Sequence, residues 1–337
     1  MILAGDIGGT HTRIALFDEQ SAPRLRLVLE QIYASREHHG LEEILSLFLS
    51  NQQVKLEAAC FGVAGPVFKG RATASNLAWI MDALSLAKVL KLESVWLIND
   101  LAAHAFGVDH LEPVDLISLT AAPAAQGNRA LIAAGTGLGE AGVFWNGTQH
   151  LPFASEGGHA DFAPRNDIEI ELHRYLLSKF GRVSCERILS GPGLKNVYDF
   201  LRDSGTEAEP DWLQQQMAKA ADPAALIAQH GLSNKASICA RALEIFVNVY
   251  GAEAGNVALR FLATGGVYLS GGIAARILPK LQMPGFMQAF QDKGRMRPLM
   301  QAIPVHVVTN DRVGLLGAAH YAWAQHNRRA STEAISA

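Results

Sequence analysis

Apolar residues near the start of the chain form two short runs separated by a glycine turn. Residues 1–5 are apolar and lead to Asp6, and an alternating run at 12–17 follows the Gly-Gly-Thr turn of residues 8–10. The same order restarts at Leu131, ahead of the sequence Gly-Thr-Gly-Leu-Gly at 135–139. Such runs bounded by glycine are typical of strands. The pattern predicts a hairpin at each place, with the first strands at about 2–7 and 12–18.

Strands and helices alternate in the pattern that follows. It predicts a third strand at about 25–33, an apolar strand at 58–66 that ends in Gly-Pro, and a helix at 84–90. Residues 41–50 have helical spacing, and the apolar residues on one side are Leu41, Ile44, Leu45, Phe48 and Leu49. Several helices are predicted between 167 and 261, with a loop-rich helical insertion at 203–234. This alternation indicates an α/β fold.

A strand, a short turn and a helix are predicted twice more. Residues 95–106 have Asn99 and Asp100 at this turn, and residues 267–276 have Gly271 and Gly272. Each half of the chain is therefore predicted to offer a glycine hairpin and then a strand-to-helix turn. A Gly-Gly turn at a helix start has room for a flat group such as a nucleoside. A helix start without a ligand is the alternative.

Composition sets the class of protein. With 337 residues, 49% hydrophobic and 18% charged, the chain is long enough for two domains. A net charge of −3 without a Lys/Arg block gives no reason to expect a nucleic-acid partner. Charged residues interrupt the richest apolar stretch, at 242–277, which favours buried helices over a membrane span. Three separated cysteines fit reduced thiols, and a first strand at residue 1 leaves no room for a signal segment, so we expect a cytoplasmic protein.

The two glycine turns predict phosphate binding. Without Cβ atoms a turn can adopt positive φ, and consecutive amides then form a nest for an anion. Asp6 and Thr10 add a carboxylate and a hydroxyl that can hold Mg²⁺ and a phosphate oxygen. Either turn alone can be a plain hairpin, whereas two favour one nucleotide held by both. A strand rather than a helix follows residue 139, which disfavours a Rossmann site, and the chain has no P-loop motif.

Catalytic chemistry is expected at Asn99 and Asp100, because ligands of open α/β sheets bind at the carboxyl ends of strands. A helix N-cap is the alternative role for Asp100. Glu156 and His159 form a second polar cluster that suits a polyol, which needs many donors and acceptors. A metal site there is disfavoured, since no third ligand has a convincing spacing. Glu186 on its own is interpreted as a surface helix residue.

Together these segments resemble the motifs of bacterial glucokinases of the proteobacterial type, within the actin/hexokinase/Hsp70-like ATPase superfamily. The matching segments, in order, are 5–10, 97–100, 135–139, 156–164, 186–194, 290–295 and 311–317. Each motif is weak alone, but all of them in this order are specific. The resemblance implies two lobes of duplicated ribonuclease-H-like halves with a central cleft, and a homodimer.

The expected domains are a small α/β domain at 1–110, completed by a C-terminal helix at about 312–327, and a large α/β domain at 111–311. A flexible tail is expected at 328–337. The implied reaction is the ATP-dependent phosphorylation of D-glucose at the 6-hydroxyl, which gives glucose 6-phosphate and ADP and is the first step of glycolysis.

The resemblance also assigns roles to residues. Asp100 would be the general base, and Asn99, Glu156, His159 and Glu186 would bind the sugar hydroxyls. Asp6 would act on Mg²⁺, directly or through water. The ATP site would be formed by Gly5, Asp6, Ile7, Gly8, Gly9, Thr10, Gly135, Thr136, Gly137, Gly271 and Gly272.

The chain departs from the family pattern at one turn position. His11 stands where glucokinases usually have Asn. The zinc-binding cysteine cluster of the related ROK-family sugar kinases is missing, and no helix-turn-helix domain is expected before residue 1, which argues against a ROK-type repressor. The alternatives are a kinase for another hexose or an N-acetylated amino sugar, a sugar-binding regulator without catalysis, and an actin-like assembly or chaperone-type ATPase.

Overall fold

The computed structural model of the chain describes residues 1–21, 24–74, 77–123 and 125–336. The backbone is organised as two units, and the chain leaves the first unit and later returns to it. The first unit contains Met1–Pro113 and Asn310–Ala337, and the second contains Val114–Thr309.

Strands form the framework of each unit. The strands of the first unit are β1 (Ile2–Ile7), β2 (His11–Ser21), β3 (Arg24–Ala34), β4 (Ala58–Val63), β5 (Val67–Phe68), β6 (Arg71–Thr73), β7 (Ile80–Asp82) and β8 (Val95–Asn99). Those of the second are β9 (Leu116–Ser118), β10 (Arg129–Ala134), β11 (Leu138–Trp145), β12 (His150–Ser155), β13 (Gly266–Ser270) and β14 (Val305–Val308). The hairpins β1–β2 and β10–β11 lie where the apolar pattern predicts them.

The main sheets of the two units share one strand order. In the first unit the order is β3-β2-β1-β4-β8, and in the second it is β12-β11-β10-β13-β14, followed by β9. The first three strands of each order are antiparallel neighbours, and the next two are parallel to the central one. The predicted duplication of α/β halves is therefore confirmed.

One detail of the predicted duplication is wrong. The sequence pattern equates the strand at Val95 with the strand at Val267, but β8 is the fifth strand of its sheet and β13 is the fourth. The counterpart of β13 is β4, and the counterpart of β8 is β14. Both strand-to-helix turns exist, but a strand's position in a sheet depends on non-local pairing, which the local pattern does not contain.

Helices cover the sheets. They are α1 (Leu41–Leu49), α2 (Ala83–Leu90), α3 (Asp100–Val108), α4 (Asp167–Phe180), α5 (Gly191–Asp203), α6 (Asp211–Lys219), α7 (Pro223–Leu232), α8 (Ser237–Phe261), α9 (Gly271–Arg276), α10 (Leu278–Leu281), α11 (Pro284–Gln291), α12 (Arg297–Ala302) and α13 (Val313–Ser336). The last of these runs to Ser336, through the residues for which the sequence predicts a tail. In the described part of the chain, no helix combines the length and apolar composition that a membrane span needs.

Alternation along β1 divides the core of the first unit between the two faces of its sheet, because successive side chains of a strand point to opposite sides. Leu3 and Ile7 pack in a cluster with Ile44 and Phe48 of α1. On the other face, Ile2 and Ala4 pack in a cluster with Leu315, Ala318, Ala319 and Ala322 of α13. The helix that ends the chain therefore covers the strand that begins it.

Candidate functional site

The first glycine turn is held in place by hydroxyl groups. The N–H of Gly8 donates to the carbonyl oxygen of His11 at 3.0 Å, which closes the hairpin. Ser35 supports the turn twice, because its N–H donates to the oxygen of Thr10 at 3.0 Å and its Oγ donates to the oxygen of Gly8 at 2.8 Å. Thr12 Oγ1 lies 3.0 Å from Ser35 Oγ in the buried interior. The backbone of the turn is therefore fixed by contacts within the protein.

The glycines of the two hairpin turns do not use the positive φ that glycine permits. The φ angles of Gly8, Gly135 and Gly137 lie outside the positive region. Close approach explains two of them. A Cβ on Gly8 would lie 3.0 Å from the oxygen of His11, and one on Gly137 would lie 2.6 Å from Glu186 Oε2.

Asp6, at the end of β1, has a buried carboxyl group. Burial raises its pKa, while the nearby charges of His104 and Arg13 oppose that rise. Gly314 at the start of α13 packs against this group, and a Cβ there would lie 3.3 Å from Asp6 Oδ2 and 2.8 Å from His104 Cδ2. The start of α13 therefore lies close to the Asp6 carboxylate, and a side chain at residue 314 would crowd it.

A metal ion at Asp6 would need ligands from outside the protein. Among the described residues, no group of three or more His, Cys, Asp or Glu side chains could hold a metal ion. Mg²⁺ usually binds through one or two carboxylates together with substrate phosphates and water. One carboxylate and the Thr10 hydroxyl beside an amide-lined turn fit that mode.

Asn99 and Asp100 have different structural roles at the start of α3. Asn99 is the N-cap, because its Oδ1 accepts from the N–H groups of Leu101 at 3.0 Å and Ala102 at 3.2 Å. Its Nδ2 donates to the oxygen of Gly65 at 3.3 Å. Asp100 lies in the first turn, half-buried, and its Oδ1 accepts from the N–H of Leu101 at 2.9 Å. The N-cap interpretation of Asp100 is therefore wrong, and the capping role belongs to its neighbour.

The second glycine turn is braced by a side chain from a distant segment. Gly135 N–H donates to the oxygen of Gly137 at 2.9 Å, and Gly191 N–H donates to the oxygen of Gly135 at 2.8 Å. The N–H of Leu138 donates to Glu186 Oε2 at 3.0 Å. Glu186 lies in the 3-10 turn Cys185–Arg187. It is not the surface helix residue that its isolated position in the sequence suggests.

Glu156, His159 and Glu186 come together within the second unit. His159 Nε2 lies 4.0 Å from Glu156 Oε2, and His159 Nδ1 lies 3.9 Å from Glu186 Oε1. The side chains of Glu156 and His159 are 66% and 58% exposed, and that of Glu186 is 31% exposed. The three groups present carboxylate and imidazole edges to solvent, which suits a hydroxyl-rich ligand.

Gly271 differs from the hairpin glycines. Its φ is +82°, and a Cβ would lie 2.6 Å from the oxygen of Ala134, the last residue of β10. Gly272 has open space at that position. The start of α9 therefore lies against the end of the strand that leads into the second turn, and only glycine fits at residue 271.

The predicted residues fall in both units. Gly5, Asp6, Ile7, Gly8, Gly9, Thr10, Asn99 and Asp100 belong to the first unit, whereas Gly135, Thr136, Gly137, Glu156, His159, Glu186, Gly271 and Gly272 belong to the second. Glu140 and Glu253 are two further residues beside this site that the sequence reasoning missed. Both are buried carboxyl groups. The available signal was an acidic residue inside each of two apolar segments.

Comparisons with known proteins agree over the length of the chain. The family model described as Glucokinase matches residues 3–325. The glucokinase of Nostoc punctiforme is 42% identical over 333 residues, which cover 95% of this chain and 98% of that protein. The crystal structure of a glucokinase from an Antarctic psychrotroph has a TM-score of 0.83 at 28% identity and covers 96% of this chain and 98% of its own. A ROK family glucokinase from Streptomyces griseus, in complex with glucose and AMPPNP, has a TM-score of 0.66 at 20% identity, with coverage of 96% and 99%.

Proposed function

The chain belongs to the glucokinase family, and we infer that it transfers the γ-phosphoryl group of ATP to the 6-hydroxyl of D-glucose, with Asp100 as the general base. The products are glucose 6-phosphate and ADP. The observation that carries the residue assignment is the division of roles at α3. Asn99 caps the helix, so the Asp100 carboxylate is not needed as the N-cap.

Phosphoryl transfer depends on positioning and charge stabilisation more than on covalent catalysis. Asp100 would accept the proton of the attacking hydroxyl, which keeps the nucleophile aligned and removes charge as the bond forms. Asn99 would contact neighbouring hydroxyls. Glu156, His159 and Glu186 would bind the hydroxyls on the reducing-end side, where their exposed edges lie within 4.0 Å of one another.

The glycine turns would bind the nucleotide. The turn residues Gly8, Gly9 and Thr10 and Gly135, Thr136 and Gly137 would cradle the phosphates, with Gly5 and Ile7 shaping the end of β1. The N–H groups of Gly8 and Gly135 close the turns themselves, so the remaining amides of each turn would contact the phosphate oxygens. Gly271 and Gly272 would border the nucleoside. Asp6 would hold Mg²⁺, directly or through water, and the ion would neutralise charge on the transferring phosphoryl group. The ROK family neighbour that binds AMPPNP supports ATP as the donor.

The family resemblance also leads us to propose a homodimer in the cytoplasm. Light scattering of the purified chain tests the dimer, because the measured mass is either one or two times that of a 36.2 kDa chain.

Replacement of Asp100 tests the proposed mechanism. Asp100→Asn removes the proton acceptor with little change in shape, so kcat should fall by about 10²- to 10⁴-fold, the usual effect of losing a general base. The measurement is a coupled ADP-release assay with glucose, mannose, fructose and N-acetylglucosamine. Asp109→Asn, an exposed position just after the same helix, is the matched control and should retain wild-type turnover. Near-normal turnover by Asp100→Asn would refute the assignment, and ATP turnover without any sugar would refute the kinase.

A further inference from the structure

Two buried carboxyl groups lie beneath the turns that carry the proposed sugar-binding residues. Glu140 on β11 and Glu253 on α8 are 1% and 5% exposed. Arg260, also on α8, is near both, with its Nη1 2.9 Å from Glu253 Oε1 and 3.7 Å from Glu140 Oε2. Two neighbouring acids that are both ionised repel each other in the interior, and a proton shared between them would remove that repulsion.

The hydrogen bonds identify which acid carries a proton. Glu253 is well supplied with donors, since Asn256 Nδ2 donates to its Oε2 at 2.8 Å and Arg260 donates to its Oε1. In the part of the chain that the structure describes, nothing donates a hydrogen bond to the buried Oε1 of Glu140. A buried carboxylate oxygen without a donor is costly, whereas a protonated carboxyl donates a bond of its own. The proton therefore belongs on Glu140, with Glu253 as the acceptor.

The pKa directions agree with this assignment. Burial, and then the charge of Glu253, raise the pKa of Glu140 to about 8, against the opposing charge of Arg260. Cys185 faces both acids, and burial together with their charges raises the pKa of its thiol, which stays neutral. Lys293 contacts the same group through Asn256, whose Oδ1 accepts from Lys293 Nζ at 2.6 Å. Burial lowers the pKa of Lys293.

Glu140 is in direct contact with the turn Gly157–His159. A Cβ on Gly157 would lie only 2.0 Å from Glu140 Oε2, so the turn fits over the carboxyl group with no space to spare. Cys185, which faces the acid pair, begins the turn that contains Glu186. The same two acids thus lie under both 3-10 turns, and Glu140 also lies on the strand that leaves the second glycine turn.

We propose that Glu140 is a positioning residue for glucose binding, whose carboxyl shares one proton with Glu253 and so fixes the turns that carry Glu156, His159 and Glu186. Loss of the shared proton places two anions side by side in the interior. Repulsion would displace Glu140 against Gly157, and the turns would move with it. The inference rests on the proposed function, because its kinetic readout is glucose binding.

Glu140→Gln removes the titrating proton but keeps nearly the same side-chain shape. The amide can still donate a hydrogen bond to Glu253, but it does not titrate. KM values for glucose and ATP are measured between pH 6.5 and 9.5 on the full chain. For the wild type, the glucose KM should rise above pH 8, approaching about tenfold per pH unit, the slope of one titrating proton. Glu140→Gln should show no such rise, and the ATP KM should follow one common curve in both proteins.

Glu169→Gln is the matched control. Glu169 is also a 1% exposed acid of the second unit, but Arg165 Nη2 donates to its Oε1 at 2.7 Å, so this acid has a cationic partner of its own. The control should keep the wild-type rise in glucose KM above pH 8. Equal pH curves for wild type and Glu140→Gln would overturn the proposal.

Thermal unfolding provides a readout that involves no glucose. With a folded pKa of about 8 and an ordinary value of 4.5, Glu140 holds a proton in the native state that the unfolded chain has lost. The stability of the wild type should therefore fall as pH rises from 4.5 to 8, and Glu140→Gln should lack this component. Parallel curves of Tm against pH for the wild type and Glu140→Gln would overturn the proposal of a shared proton. Failure of the wild type to phosphorylate glucose would instead overturn the proposed function. The Tm comparison of wild type and Glu140→Gln would still test the shared proton.

Discussion

The two glycine hairpins occupy the same place in sheets of the same strand order, but they are built differently. Two residues before the first turn the strand carries Asp6, and at the matching place before the second turn it carries Ala133. Hydroxyl groups of Thr12 and Ser35 support the first turn from within its own unit's core. The second turn is instead braced by Glu186, which arrives from a segment 48 residues away from Leu138.

This difference indicates how a duplicated fold acquires an asymmetric site. The backbone of each turn is proposed to offer amides to phosphate, but only the first follows a strand with a carboxylate near its end, the group proposed to hold a metal ion. The second couples the turn to the proposed sugar-binding residues, because one oxygen of Glu186 holds the turn and the other lies 3.9 Å from His159. Nucleotide and sugar would thus meet at one carboxylate in the second unit.

Among changes to the two turns, removal of the charge at the first turn should have the largest effect. Asp6→Asn keeps the shape of the side chain but not its attraction for Mg²⁺, so kcat should fall by about 10²- to 10³-fold, the usual effect of losing one electrostatic contact to a transition state. The measurement is kcat as a function of Mg²⁺ concentration. Asp18→Asn, a partly exposed acid on β2 that is paired with Arg26, should behave as wild type. Wild-type kcat and Mg²⁺ dependence in Asp6→Asn would contradict a metal role for the first turn.

A methyl group at the second turn should have an intermediate effect. In Gly137→Ala the new Cβ would lie 2.6 Å from Glu186 Oε2, the flexible end of a side chain, so the carboxylate should move while the fold survives. A lost hydrogen bond to a charged group corresponds to about a tenfold rise in glucose KM.

The matched control for this prediction is Gly135→Ala, because a Cβ at Gly135 has no neighbour within 4 Å. Its glucose KM should remain near that of the wild type. Equal glucose KM values for the two alanine variants would contradict the coupling between the second turn and Glu186.

The smallest expected effect is on the support of the first turn. Thr12→Val removes the buried hydroxyl that lies 3.0 Å from Ser35 Oγ, while Ser35 keeps its bond to Gly8. The free energy of unfolding should fall by about 1 kcal/mol, as for one intramolecular hydrogen bond. Urea unfolding measures this change. Thr148→Val, in an exposed turn of the second unit, should stay within about 0.5 kcal/mol of wild type. An equal loss in both variants would leave no special role for the buried hydroxyl pair.

Local pattern was sufficient to predict much of the fold. The helix predicted at 41–50 is α1, and Leu41, Ile44, Leu45 and Phe48 are buried as its spacing requires. The hairpins were equally clear, because period-two alternation and glycine turns act over a few residues. The correspondence of β8 with β13 failed because strand neighbours are chosen by pairing across the whole unit.

Predictions about the site depended on a different kind of information. Glu186 has no neighbour in sequence that indicates its contact with Leu138, and only the fold brings the two together. Glu140 and Glu253 interrupt apolar segments, and sequence alone cannot distinguish such an interruption from a buried acid that contacts a second one. The catalytic and binding roles of the predicted residues remain predictions, which the variants above test.

One face of the first sheet is covered by α13, so this face stays uncovered during synthesis until α13 has been made. Ile2 and Ala4 of β1 are made before residues 114–309, whereas Leu315 and Ala318, which cover them, are made after those residues. All of residues 114–309 must be translated in between, and uncovered apolar sheet faces promote aggregation in nascent chains. We expect chaperone demand to be highest in that interval, and a premature stop anywhere in it to leave one face of the N-terminal sheet bare.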